Sequence, residues 1–205
     1  MSIHAIIWDV GGVLVRTEDF ASRQQLAKEY NLSNQAINDL VFGSPGNYPT
    51  QLGEISHAEH WQAVQQKLGI SDPQIADFES RFFAGDVLDT DLINFIRQLK
   101  QDFCMAILSN ASSNLNSTLA ETWQIDDAFH NIIVSAEVGL MKPDPAIFEL
   151  TLETIGFEAQ ETVFIDDMPE NIQAAQEVGM LGIRFQTPEQ TLQKLTAIIN
   201  SNDLD

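Results

Sequence analysis

Five short apolar runs, separated by helical patterns with recognisable ends, limit what this chain can fold into more than any other feature. They are Ile3–Trp8, Met105–Ser109, Asn131–Ser135, Thr162–Ile165 and Gly182–Phe185, each apolar or β-branched through its body. A parallel sheet covered on both faces requires runs of this kind. Helix signals fall between them. Asp144 and Pro145 make an N-cap and first-turn pair, Ile147, Leu150, Thr151 and Ile155 share a face, and Gly156 supplies the stop. Pro169 to Val178, ended by Gly179, and Pro188 to Ile199 repeat the scheme. Strands alternating with helices of this length predict an α/β fold with a doubly wound, parallel, Rossmann-like sheet.

Residues 16–88 break the alternation, with helical patterns and no convincing buried strand. Ser56 with Glu59 three residues on is a capping box, and Asp72-Pro73 opens another helix. The expected organisation is therefore an α/β core of residues 1–15 and 89–205, with an all-helical cap, 16–88, inserted after the first strand. Gly43 to Pro49 is the one long irregular loop, either substrate-facing or a linker between cap helices.

A chain of 205 residues with 44% hydrophobic content can bury one such core and one inserted module. Thirty acidic against ten basic side chains give a formal charge of -20. That charge argues against nucleic acid or an anionic membrane surface as a partner, since both need a basic footprint. No run approaches the roughly 18 apolar residues of a membrane span, and no basic region followed by an apolar core opens the chain, so the expected location is the cytoplasm. Cys104, in the apolar run Phe103 to Leu108, reads as a small core residue. The charge also sets a condition: an acidic protein can hold an anionic substrate only where a cation or an array of N–H donors reverses the local potential.

Ligands of an open α/β sheet sit beyond the carboxyl ends of its strands. The residues there are Asp9, Ser109-Asn110, Lys142 after a short loop, and Asp166-Asp167. A carboxylate, a hydroxyl, a lone cation and a carboxylate pair are the inventory for phosphoryl transfer through magnesium and a nucleophilic carboxylate. Lys142 is the only Lys or Arg between Lys100 and Arg184, and Pro143 after it restricts its backbone to extended conformations. Taken singly, Asp9 is a turn residue, Ser109-Asn110 a helix cap, Lys142 solvated surface and Asp166-Asp167 a polar turn. Their convergence is what argues for a site. His57 and His60, one turn apart, have no evident third metal ligand, and Trp61 and Phe82-Phe83 read as cap packing.

In order, the strand ending at Asp9, then Ile107-Leu108-Ser109-Asn110, Lys142-Pro143 and Phe164-Ile165-Asp166-Asp167 resemble the four motifs of haloacid-dehalogenase-superfamily hydrolases. The resemblance covers nearly the whole chain, including the subclass with a small helical cap. It implies a magnesium-dependent phosphatase acting on a small phosphorylated metabolite, with Asp9 as the nucleophile that forms an aspartyl-phosphate. It also implies magnesium on Asp9, Asp167 and the backbone oxygen of Gly11. Asp166 would be an additional ligand or stand behind the ligands, and Asn171 would orient the carboxylates. Ser109, the Asn110 N–H, Lys142 and the end of a helix starting after Asn110 would hold the phosphate.

One position departs from the family pattern. Where its phosphatases carry a second aspartate as general acid and base, this chain has Gly11. Three readings follow: dehalogenase-like or phosphonate chemistry, a phosphatase whose acid comes from the cap or whose leaving group needs little help, or a catalytically weak phosphate-binding regulator. The Asp-x-Gly motif and Gly53-Glu54-Ile55 resemble a bacterial glucose-1-phosphate phosphatase, which makes sugar-1-phosphates a first expectation.

Overall fold

The computed structural model describes residues 2–202. Five strands form one parallel sheet in the order β5-β4-β1-β6-β7. They are β1 (Ala5–Trp8), β4 (Cys104–Ser109), β5 (Asn131–Val134), β6 (Thr162–Asp166) and β7 (Leu181–Arg184). All five predicted runs are strands. Trp8 pairs with Ile107 on one side and Ile165 on the other, so Asp9 is level with Leu108 and Asp166, and Ser109 lies one residue beyond. Chain order reverses at β1, which opens a crevice beyond its carboxyl end.

Alternate residues of each strand feed opposite faces. Ile6, Trp8, Met105, Ile107, Val163 and Ile165 join one apolar cluster, whereas Ala5, Ile7, Ala106, Leu108 and Phe164 join the other. Both faces are covered by helices, among them α5 (Thr90–Leu99), α8 (Pro145–Ile155), α9 (Pro169–Val178) and α10 (Pro188–Asn202). Asp144 caps α8 by accepting from the Ala146 N–H at 2.9 Å, and Gly156 ends it at positive φ, both as the sequence predicts.

Four further helices, α1 (Ala21–Glu29), α2 (Asn34–Phe42), α3 (His57–Leu68) and α4 (Asp72–Phe82), pack around their own cluster, which includes Leu26, Ile37, Trp61, Phe78 and Phe82. The Ser56–Glu59 capping box is formed, and α4 is capped by Ser71 with Gln74, one residue earlier than the Asp72-Pro73 signal suggests. The structure adds a short antiparallel ribbon at the root of these helices, β2 (Val15–Thr17) against β3 (Asp86–Leu88). Two short helices, α6 (Leu115–Ser117) and α7 (Ser135–Val138), follow β4 and β5. No helix among the described residues is long and apolar enough to cross a membrane.

Candidate active site

Asp9 lies one residue past β1 in a turn closed by Gly12 N–H donating to Val15 O at 2.8 Å and Val15 N–H donating to Val10 O at 2.9 Å. One of its carboxylate oxygens, Oδ1, accepts from the Val10 N–H at 2.8 Å and faces the Lys142 ammonium at 2.9 Å. Among the described residues nothing donates to Oδ2. Lys142 is buried, and its Nζ also donates to Asp166 Oδ2 at 2.7 Å and to Leu108 O at 2.9 Å. Asp166 is held on every side, because Asn171 Nδ2 brackets both its oxygens at 3.0 and 3.1 Å and the Met168 N–H donates to Oδ1 at 2.8 Å.

The electrostatics follow from this count. Asp9, Asp166 and Asp167 each bring a carboxylate oxygen within 4.8 Å of the others, and Lys142 is the ammonium between the first two. Two negative charges remain to be balanced. Burial raises the Asp9 carboxyl from 3.8 to about 7, Lys142 pulls it down and Asp166 adds to the rise. Burial alone would lower the Lys142 ammonium, but Asp9 and Asp166 outweigh it and hold it above its ordinary value. Burial, then Asp166, also raises Asp167. Hard oxygen donors with excess negative charge suit a divalent cation of the magnesium or calcium type. Among the described residues no other residue donates to the Asp167 side chain, whereas Asp166 accepts from Lys142, Met168 and Asn171.

Residues 3–179 match the sequence profile of the haloacid dehalogenase-like hydrolases. The chain belongs to that family. Over 196 residues this hydrolase is 26% identical to a sesquiterpene phosphatase of Aspergillus oryzae, covering 95% of its own length and 96% of the relative's. It is 25% identical over 206 residues to a drimenol cyclase of Aspergillus calidoustus, where it spans 97% of itself but only 37% of the cyclase. Among solved structures, a mutant family enzyme from Bacteroides thetaiotaomicron, crystallised with magnesium and inorganic phosphate, superposes with a TM-score of 0.75 at 24% identity, over 91% of this chain and 96% of that one.

Within the hydrolase, the residues singled out from sequence converge at the carboxyl end of β1, with differences in detail. Ser109 is buried at the end of β4, and its hydroxyl has no protein partner among the described residues. Asn110 does more than offer an N–H. Its side-chain amide donates to Lys142 O and accepts from Lys142 N–H, both at 2.8 Å, tying the loop after β4 to the loop carrying the lysine. The helix expected directly after Asn110 begins only at Leu115 and passes into a π-helical turn, Thr118–Thr122. Residues 111–114 intervene, so no helix N-terminus abuts Asn110. Ala111 N–H instead donates to Ser135 Oγ at 3.0 Å.

Gly12, which the sequence reading passes over, is the more constrained glycine of the pair. It sits at φ 79°, and an added Cβ would lie 2.6 Å from the Asp167 carboxylate. Gly11 has ordinary φ and nothing within 4 Å of an added Cβ. Its carbonyl accepts no hydrogen bond among the described residues, which leaves it available to a cation. His57 meets Ser112 Oγ at 3.3 Å and Glu79 at 3.7 Å, while His60 Nε2 is buried without a partner; the pair joins no carboxylate or thiolate cluster among the described residues. Trp61 and Phe82 pack the cap as expected, but Phe83 is 37% exposed.

Proposed function

We propose that the protein is a magnesium-dependent phosphatase that hydrolyses a small phosphate monoester through an aspartyl-phosphate on Asp9. The observation that carries this reading is Asp9 itself: one oxygen pinned by Val10 N–H and Lys142, the other unoccupied, beside a carboxylate pair that needs a cation. The Asp9 oxygen attacks phosphorus and the bond from phosphorus to the ester oxygen breaks, the alcohol leaving with a proton taken from its surroundings. Water then attacks the phosphoryl group, releasing inorganic phosphate and restoring the carboxylate.

Lys142 favours the ionised form of Asp9 against the effect of burial and meets charge that develops on the phosphoryl oxygens. Ser109 Oγ and the Asn110 N–H bind those oxygens, and Asn110's amide holds Lys142 in register with them. Asp9, Asp167 and the Gly11 carbonyl are the groups that would hold magnesium, with Asp166 and Asn171 fixing the surrounding geometry. When bound, the ion supplies positive charge that lets an anionic ester approach three carboxylates. The name of the sesquiterpene phosphatase supports the phosphatase branch over the dehalogenase branch.

Hydrolysis of p-nitrophenyl phosphate with magnesium and with EDTA tests the reading. The expected result is turnover that requires magnesium and disappears in Asp9→Asn. Turnover insensitive to EDTA, or chloride release from a 2-haloacid, would overturn it.

A further inference from the structure

Among the described residues, the only large aromatic rings that stand well out into solvent belong to the cap: Phe20 at 49%, Phe42 at 43% and Phe83 at 37% exposure. They are not scattered. Phe42 and Phe83 meet edge to face with centroids 6.1 Å apart, Phe83 continues to Trp61 at 6.5 Å, and Trp61 to His57 at 6.2 Å. Arg23, almost fully buried, lies beneath the other end, its guanidinium 5.8 Å from both the Phe20 and Phe42 rings.

The two ends of this row locate it. At one, Arg23 pairs with Asp86 at 3.1 Å, and Asp86 also accepts from the Thr17 hydroxyl, so the aromatic group is moored to the β2–β3 ribbon leading out of the Asp9 turn. At the other, His57 Nδ1 meets Ser112 Oγ, three residues beyond Ser109. Among the described residues this is the only hydrogen bond between residues 20–84 and the sheet domain. Gly53, ahead of α3, reinforces it by lying so close to Ala136 that an added Cβ would sit 2.1 Å from the Ala136 carbonyl oxygen. The row is therefore tied at one end to the ribbon that follows the Asp9 turn and at the other to the loop that follows Ser109.

We propose that this row is the binding surface for the alcohol part of the substrate, and that the substrate class is a monophosphate ester of an apolar alcohol. The proposal rests on the phosphatase reading above. Exposed Phe42 and Phe83 in contact, with exposed Phe20 beside the same Arg23, give a chain of formal charge -20 an apolar surface fit to bind something apolar. Its ties to the segments that follow Asp9 and Ser109 assign it to the leaving group. Sugar hydroxyls would need donors and acceptors, whereas the row offers ring faces, and the His57 nitrogens already face Ser112 and Glu79. Contact with a hydrocarbon chain is binding energy remote from phosphorus, of the kind an enzyme can spend on the reacting bond.

The test is kcat/KM with magnesium for straight-chain alkyl phosphates from propyl to decyl, with glucose-1-phosphate and acetyl phosphate alongside. From propyl onward the leaving-group acidity barely changes, so the series isolates apolar contact from the supply of a proton. The expected result is a rise of about two- to fourfold per methylene over the first several carbons, reflecting partial to full burial of each. Phe42→Ser and Phe83→Ser should each lower the decyl value by about tenfold and the propyl value by less. A wild-type series flat in chain length, or glucose-1-phosphate hydrolysed better than octyl phosphate, overturns the proposal whether or not the variants fold. A dimer in light scattering that Phe42→Ser turns into a monomer overturns it too, because the row then covers a second copy. Failure to hydrolyse any ester, acetyl phosphate included, overturns the phosphatase reading instead.

Discussion

The site on the sheet and the cap above it are built in opposite ways. Around Asp9 the buried charges are held several times over: Lys142 Nζ contacts Asp9, Asp166 and Leu108 O, and Asp166 is bonded by Lys142, Met168 and Asn171. The cap has its own apolar cluster and reaches the sheet domain through the ribbon at its root, the His57–Ser112 hydrogen bond and the close approach of Gly53 to Ala136. Chemistry is thus fixed by burial and charge, where any single change is costly. The proposed apolar surface belongs to a body with few bonds to that chemistry, where changes are cheap and local.

Removing the proposed nucleophile gives the largest expected effect. Asp9→Asn should lower turnover by at least about a thousandfold with an unchanged circular dichroism spectrum, because the amide is nearly isosteric but a poor nucleophile. Wild-type rates in a folded variant would end the covalent mechanism. Lys142→Met should follow. It leaves Asp9 and Asp166 buried without their cation, at a cost of about 3–5 kcal/mol in urea denaturation. Unchanged stability would show that the carboxylates do not depend on the lysine.

The pH dependence of the metal-free protein sharpens the same contrast. The folded Asp9 carboxyl titrates near 7, above its ordinary 3.8. Between those values the folded state keeps a proton that the unfolded chain has released, so rising pH favours unfolding until the folded group ionises as well. Melting temperature in EDTA should therefore fall from the acid end of that window to its top, then level. Asp9→Asn should reduce this slope and leave the smaller part that the raised Asp167 contributes, and a variant with the full wild-type slope would contradict the burial of Asp9. On the cap side, Gly53→Ala must push back the Ala136 carbonyl and occupy φ 71°, and should cost about 2–4 kcal/mol. Gly69→Ala, at φ 67° in open space, should cost only about 1 kcal/mol. Equal losses would mean that Gly53 is not pressed against the sheet domain.

The smallest structural effect belongs to Gly11→Asp. Ordinary φ and open space around the new Cβ hold the expected stability change to about 0.5 kcal/mol. If supply of a proton limits hydrolysis, kcat/KM should improve more for alkyl than for aryl phosphates. The same dependence on leaving-group acidity as wild type would place the acid elsewhere.

The sheet was legible because its three central strands, β1, β4 and β6, are buried on both faces and so write themselves as apolar runs. The β2–β3 ribbon was not, since three-residue strands of mixed burial carry no period. Convergence of Asp9, Ser109, Lys142 and the Asp166-Asp167 pair could be read from their places at strand ends. The division of labour within it could not. A Gly11-Gly12 doublet does not declare which member takes positive φ, and Asp166-Asp167 does not declare which carboxylate the protein consumes. Ser109-Asn110 looks like a helix cap, yet the helix waits until Leu115. Phe82 and Phe83 are neighbours in sequence, but one is buried and the other exposed, a difference set by the helix end between them.

Asn110 shows how narrow some of these margins are. Its side chain behaves as a detached peptide group, giving and taking one hydrogen bond with the main chain of Lys142. Deamidation, the slow hydrolysis to which asparagine is prone, would replace its NH2 by a negatively charged oxygen and set that oxygen against the Lys142 carbonyl, lone pair to lone pair. In the aspartyl product the loop after β4 and the segment carrying Lys142 would then be pushed apart by a change that leaves the shape of the side chain intact, so ageing of a preparation is expected to lower its activity without altering its fold.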